Sequence, residues 1–259
     1  MAKLDNIFLF PIKSLDPVAV QEVNITAGGA LQGDREFALF DQEGKYINAK
    51  RYPSIHRIRA NYQWEDRLVG LRVPDQSPTY FHLDRDRAEL EDWFSHFFAQ
   101  PVELRRNSIN GFPDDPRAWG ATIVSQASLL EAQSWYNDHH LELDDIRRRF
   151  RTNLEIADVI PFWEDSLFGK DTETVSFQIG DVQFLGTNPC QRCPVPTRDP
   201  LTGDPYANFQ KIFSRERATT ISTDVERSRF KHFYYFALNT RIPISEAGKI
   251  LKVGDRIAL

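Results

Sequence analysis

Thr187-Asn188-Pro189-Cys190-Gln191-Arg192-Cys193-Pro194-Val195-Pro196-Thr197-Arg198-Asp199-Pro200-Leu201-Thr202-Gly203 is the stretch whose reading decides the fold of this chain. Its four prolines within twelve residues rule out a regular helix or a central strand. A stiff loop is expected, with preset φ angles that hold a reactive group at little ordering cost. Four chemistries compete for its C-x-x-C. A zinc site needs four ligands, but no second cysteine pair exists, and His56, His82, His96, His139, His140 and His232 show no ligand spacing. A thioredoxin-type couple starts a helix inside a βαβ unit, which Pro196 and the following Arg-Asp-Pro oppose. Two unremarkable loop cysteines are the third reading. The fourth is a soft thiolate ligand to a transition metal that a cofactor carries, with Arg192 favouring the thiolate of Cys193. Spacing alone does not choose among them.

The rest of the composition narrows the field. A chain of 259 residues buries a substantial core, as one large domain or two small ones. Its 41% hydrophobic and 27% charged residues describe an ordinary globular protein. No run approaches the roughly 18–20 apolar residues that cross a bilayer. Met1-Ala2-Lys3-Leu4-Asp5 lacks a signal-peptide pattern, so a mature, cytoplasmic protein without membrane attachment is expected. A net charge of −5 argues against a nucleic-acid partner and makes any anion site local. Two cysteines build no disulfide framework and leave no spare thiols.

The first hundred residues read mostly as strands. Asn6 to Pro11 is a short apolar run, Val20 to Ile25 follows, and Gly28-Gly29 turns the chain. Glu36–Phe40 and Lys45–Ala49 flank Asp41-Gln42-Glu43-Gly44, a hairpin signal. Ile58–Trp64 and Leu68–Val73 continue the pattern. Asp84 opens a helix whose Leu90, Trp93, Phe94 and Phe97 are spaced for core packing. Residues 106–118, with Gly111, Pro113 and Pro116, read as a linker or surface loop. Ala121–Val124 is a strand, and Ser125 or Ser128 caps a helix ending near Asn137. Further strands are expected at Leu154–Ile156, Val175–Ile179, Val182–Leu185, Phe233–Leu238 and Val253–Ala258. His139-His140 reads as a solvated helix end, and Arg147-Arg148-Arg149 as a solvent-facing run. The sum is a β-rich α+β protein without regular strand–helix alternation.

Cys190-Gln191-Arg192-Cys193, followed by Thr197-Arg198-Asp199-Pro200 and Thr202-Gly203, resembles the signature of MOSC domains. Four more stretches agree in order. Pro11-Ile12-Lys13-Ser14 resembles the P-x-K-S strand end of the β-barrel domain that precedes MOSC in one branch. Gly33-Asp34-Arg35 with Phe37 resembles that domain's G-x-R-x-F/W region. Phe150-Arg151-Thr152-Asn153 resembles F-R-x-N, and Leu251-Lys252-Val253-Gly254-Asp255 the closing I-K-V-G-D strand. Singly these are weak; together they cover nearly the whole chain. The branch resembled is that of the mitochondrial amidoxime-reducing component and its bacterial relatives. The resemblance implies an N-terminal β-barrel-like domain over residues 1–105, and a MOSC β-barrel domain with peripheral helices over 119–259.

It also implies a molybdenum cofactor, a molybdopterin with molybdenum, to which Cys193 supplies its thiolate. Lys13, Arg35 and Arg151 match positions used around that cofactor. Ser14, Ser125, Asn153, Thr187 and Arg192 are hydrogen-bonding partners for it. Cys190 has no ligand role and reads as a small buried hydrophobe. Asp199, the one carboxylate of the loop, is either a catalytic proton donor near the metal or the cap of the Pro200–Gly203 turn. Pro194-Val195-Pro196 departs from the apolar and threonine residues of animal relatives, so a stiffer, reshaped substrate mouth is expected. The implied activity is an oxidoreductase that reduces small N-hydroxylated substrates. Its electrons come from a separate ferredoxin or flavin reductase, since the two cysteines do not make an iron–sulfur site and no G-x-G-x-x-G occurs. A sulfur or cofactor carrier without turnover is the rival reading, and a cofactor-free thiol protein the third.

Overall fold

The computed structural model describes residues 1–115, 117–136 and 141–259. The first strand, Lys3–Leu9, buries Leu4, Ile7 and Leu9. Strict alternation slips between Leu4 and Ile7 because the register against its partner shifts between Leu4 and Asn6. Such a bulge turns the following side chains without breaking the sheet.

This strand belongs to an eight-stranded sheet. In spatial order its members are Ile257–Ala258, Val175–Ile179, Val182–Gln191, Tyr235–Arg241, Thr122–Ser125, Leu154–Ala157, Lys3–Leu9 and Val18–Val20. All neighbours are antiparallel except Thr122–Ser125 and Leu154–Ala157. That parallel pair requires a crossover, which the helices Gln126–Ser134 and Leu143–Phe150 supply. The N-terminal strand is thus built into the sheet of the C-terminal half. Glu22–Asn24 likewise pairs with Ile250–Lys252.

The barrels implied by resemblance are not closed by continuous ladders among the described residues. The large sheet curls until Leu4 N–H donates to Asp255 O (2.8 Å) and Gly254 N–H to Leu4 O (2.7 Å), with one bridge between Lys3 and Arg256. The N-terminal half holds two three-stranded sheets. One orders Tyr46–Ile47, Phe37–Phe40 and Glu103–Arg106; the other orders Arg59–Gln63, Leu68–Arg72 and Thr79–His82. They share a core with the helix Arg87–Phe98, whose Leu90 and Phe94 are fully buried while Trp93 and Phe97 pack against it. Burying side chains of this size contributes about 1.5–3 kcal/mol each. Among the described residues no helix is long and apolar enough to cross a membrane.

The cysteine stretch is less irregular at its start than its prolines suggest. The strand Val182–Gln191 runs through Pro189 and Cys190 in the middle of the sheet. Proline is tolerated because the neighbour Val175–Ile179 pairs only as far as Gly186, leaving one ladder beyond it. That ladder is itself shifted between Pro189 and Gln191, so the missing N–H interrupts nothing. Beyond Gln191 the chain is a loop with one short 3-10 turn, Val195–Thr197. Two helices were not anticipated, Leu143–Phe150 and Phe209–Thr220, although Leu143, Ile146 and Phe150, and Phe209 and Phe213, are spaced along one helical face. The expected helix end at Asn137 and the His139-His140 pair lie outside the described residues.

Candidate functional site

A cleft of ≈ 1170 Å³ opens between the two halves. Its floor is made where the segment after the first strand meets the turn at Asp34-Arg35. Arg35 N–H donates to Phe10 O (2.9 Å), Phe37 N–H to Pro11 O (2.9 Å) and Lys13 N–H to Phe37 O (2.8 Å). These bonds set Lys13 beside Arg35. Arg151 arrives from the C-cap of the helix Leu143–Phe150. Ser14, Arg35 and Arg151 all adopt left-handed backbone, with φ of 76°, 49° and 52°. Non-glycine residues there store roughly 1–3 kcal/mol each, a strain that concentrates at functional sites.

The cations are packed with few counter-charges. Lys13 is 7% exposed, and its ammonium donates to Phe112 O (2.8 Å) and to Asp114 Oδ1 (2.5 Å). Burial, more than neighbouring charge, holds its pKa below the ordinary lysine value. Arg35 pairs with Asp34 and donates to Asn153 Oδ1 (3.2 Å). The rings stack accordingly: Phe10 lies 5.0 Å from the Arg35 guanidinium and 4.3 Å from that of Arg151. Arg151 has no hydrogen-bond partner for its guanidinium among the described residues. Burial first, then the charge of Arg35, brings its pKa down to about 10. An anion placed here would satisfy Arg151 and relieve its repulsion from Arg35.

Over this floor stands the cysteine loop. Both cysteines are free and line the cleft; Cys193 is exposed and Cys190 half-buried. Burial raises the Cys190 thiol above its ordinary pKa. Arginines clamp the loop through its carbonyls and those of its neighbours. Arg192 Nε and Nη2 donate to Phe236 O (2.9 and 2.6 Å) and Nη1 to Phe150 O (2.9 Å). Arg149 is 4% exposed and donates to Pro196 O (3.0 Å) and to Arg198 O. Arg198 donates to Ala49 O, and Arg59 Nη2 to Pro200 O (3.3 Å).

Eight of the residues singled out in the sequence therefore line one cleft: Lys13, Ser14, Arg35, Arg151, Asn153, Thr187, Arg192 and Cys193. Not all are free to bind. The Asn153 amide spans Phe8 O (3.0 Å), Arg35 and Thr122. Thr187 Oγ1 donates to Asn239 O (2.8 Å), and Arg192 is occupied as described.

Ser125 and Asp199 do not line the cleft. Ser125 caps the helix Gln126–Ser134, accepting from Ser128 N–H (3.0 Å), and is fully buried. Asp199 Oδ1 accepts the N–H groups of Leu201 and Thr202 (both 2.9 Å), the geometry of a turn cap. Burial would raise its pKa, but those backbone bonds, the charge of Arg149 and the Thr202 hydroxyl together hold it below the usual carboxylate value. The arginine run does not face solvent as a whole. Arg147 pairs with Glu155 and Asp144, Arg148 with Asp16, and Arg149 is buried against the loop.

Asp114 and His56 also reach the cleft, Asp114 from the segment that read as a linker and His56 from the 3-10 turn Pro53–Arg57. His56 Nε2 is buried without a partner, and burial, aided by Arg151 and Arg198, lowers its pKa to about 4. No group of three or more His, Cys, Asp or Glu among the described residues is placed to hold a metal ion.

Two family profiles match this chain: the MOSC N-terminal beta barrel domain over residues 1–101 and the MOSC domain over residues 120–258. The chain belongs to the MOSC-domain family. Among its relatives, molybdenum cofactor sulfurase of Caenorhabditis elegans is 25% identical over 241 residues, covering 80% of this chain and 32% of the relative. Mitochondrial amidoxime-reducing component 1 of Homo sapiens is 27% identical over 235 residues, covering 76% and 66%. Human molybdenum cofactor sulfurase is 23% identical, covering 84% and 29%. This MOSC protein thus spans about a third of the sulfurases it matches, and just under two thirds of the amidoxime-reducing component. The sulfurase relatives, by their name, link this family to the molybdenum cofactor.

Proposed function

We propose that this MOSC protein binds a molybdenum cofactor and reduces small N-hydroxylated compounds with electrons from a separate donor protein. One observation carries the reading. The exposed thiol of Cys193 opens onto the same cleft as the unpartnered guanidinium of Arg151, with Lys13 and Arg35 beside it. A soft anionic ligand and a phosphate seat in one cleft fit a pterin that carries both a metal and a phosphate. Cys193 would be the protein's ligand to molybdenum, and Lys13, Arg35 and Arg151 would hold the phosphate. When bound, the cofactor would supply two-electron oxygen-atom chemistry at an N–O bond. The net change is R–NH–OH plus two protons and two electrons giving R–NH2 and water.

The residues around the cleft define what the protein itself contributes. The arginine clamps on Phe236, Phe150, Pro196 and Arg198 fix the loop, so Cys193 is held by backbone anchoring rather than by its own contacts. Pro194 and Val195 at the mouth form an apolar wall for the substrate. His56, neutral at pH 7, leaves the positive field of the floor unchanged. Both cysteines sit at this cleft, so the electrons would come from a separate partner, a ferredoxin with its own cysteine-held cluster or a flavin reductase.

The exposure of Cys193 also suits a second reading, transfer of sulfur or of intact cofactor to another protein, in line with what the sulfurase relatives are named for. Turnover separates the two. Cofactor-loaded protein supplied with reduced viologen and an N-hydroxylated amidine should release amidine in repeated cycles. Fully loaded protein that releases none would refute the reductase reading and leave the carrier.

A further inference from the structure

Asp114 is an odd component for an anion site. It sits on the segment joining the two halves, and its side chain is 80% exposed although its carboxylate reaches a lysine that is almost wholly buried. Among the described residues its single side-chain hydrogen bond is to Lys13 Nζ, at 2.5 Å. The same ammonium is anchored independently by Phe112 O (2.8 Å) and faces the Tyr46 ring at 5.4 Å. Lys13 therefore does not need Asp114 to be positioned.

The charges of the floor show what Asp114 does there. Lys13, Arg35 and Arg151 are three cations, and Asp34 is committed to Arg35. Asp16 is taken by Arg59 and Arg148. With Asp114 in place one positive charge is uncompensated; with Asp114 removed, two are. A phosphate monoester dianion would balance the floor only in the second state. We infer that Asp114 is a built-in counter-ion, which occupies the anion seat of the ligand-free protein and must leave Lys13 before a phosphate group takes its place. The inference rests on the reading of this cleft as an anion site. It makes the joining segment an internal competitor that weakens binding of every anion by the same factor and leaves only those with several contacts to Lys13, Arg35 and Arg151 bound.

Inorganic phosphate is the probe, titrated by calorimetry at low ionic strength into wild type, Asp114→Asn, Asp115→Asn and Arg151→Gln. An ion pair whose acid is largely exposed contributes on the order of 1 kcal/mol, so Asp114→Asn should bind phosphate about two- to fivefold more tightly, with the gain shrinking as salt is added. Asp115→Asn is the control for general charge: Asp115 lines the cleft but pairs with Arg117, so phosphate affinity should stay at the wild-type value. In wild type, the amides of Asp114, Asp115 and residues 117–119 should exchange faster at saturating phosphate, as the segment lets go of Lys13. Equal or weaker binding by Asp114→Asn would overturn the inference, as would an equal gain in Asp115→Asn. Loss of binding in Arg151→Gln without a gain in Asp114→Asn would remove the counter-ion alone. Unchanged binding in Arg151→Gln would remove the anion seat itself.

Discussion

Replacing Glu164 by Gln should make the protein more stable at alkaline pH while changing little at pH 5. Glu164 is 1% exposed and lies beneath the helix Gln126–Ser134. Its Oε2 accepts Ser125 N–H (3.2 Å) and Ser128 Oγ–H (3.0 Å), while its Oε1 is buried without a partner. Burial, and then the charge of Asp165, raises its pKa to about 7 from the ordinary 4.5. Between those two values the folded chain holds a proton that the unfolded chain has released. Stability from this group is therefore full below about pH 4.5 and is lost as pH rises through 7. Integrated from pH 5 to pH 8, the loss is about 2–3 kcal/mol. Glutamine accepts the same two hydrogen bonds and never ionises, so it does not follow that decline. Urea unfolding of both proteins at pH 5, 6, 7 and 8 measures the difference, in which other titrating groups cancel. The gap should widen by about 2–3 kcal/mol in favour of Glu164→Gln. Parallel curves would refute the account of a neutral Glu164 in the folded protein.

Two further substitutions test the loop. Arg192→Ala removes donors from the carbonyls of Phe236 and Phe150 and should lower stability by about 2–4 kcal/mol, with Arg192→Lys restoring little because an ammonium does not span both carbonyls; urea unfolding reads both. Asp199→Asn keeps an oxygen for Leu201 and Thr202, so molybdenum content and turnover should stay within about twofold of wild type. A large fall in turnover with unchanged metal would move Asp199 from the turn to the chemistry.

Much of the cleft was legible because its residues sit at element ends with distinctive neighbours. Lys13 closes an apolar run, Arg35 follows a glycine turn, and the two cysteines lie in a proline-rich segment. The hairpin at Asp41–Gly44 was legible for the same reason: Leu39 pairs with Ile47 and Phe40 with Tyr46. What escaped depended on long-range pairing. Nothing local shows that Lys3–Leu9 completes a sheet of the other half, or that Glu22–Asn24 pairs with Ile250–Lys252. Arg149 read as a solvated charge because its partners, Pro196 and Arg198, are nearly fifty residues away. Ser125 was assigned to capping and to cofactor binding alike; its hydroxyl is used in the cap. Asp114 carried no signal, since an acid in a polar linker is ordinary until a buried lysine is placed against it.

Molybdenum per chain, measured on protein from a cofactor-competent host for wild type and Cys193→Ala, tests the central claim most directly. The account predicts near-stoichiometric metal in wild type and its loss in the variant, with the fold retained because Cys193 is exposed. Metal retained equally by both proteins would contradict the assignment of Cys193, and metal in neither would contradict the cofactor itself.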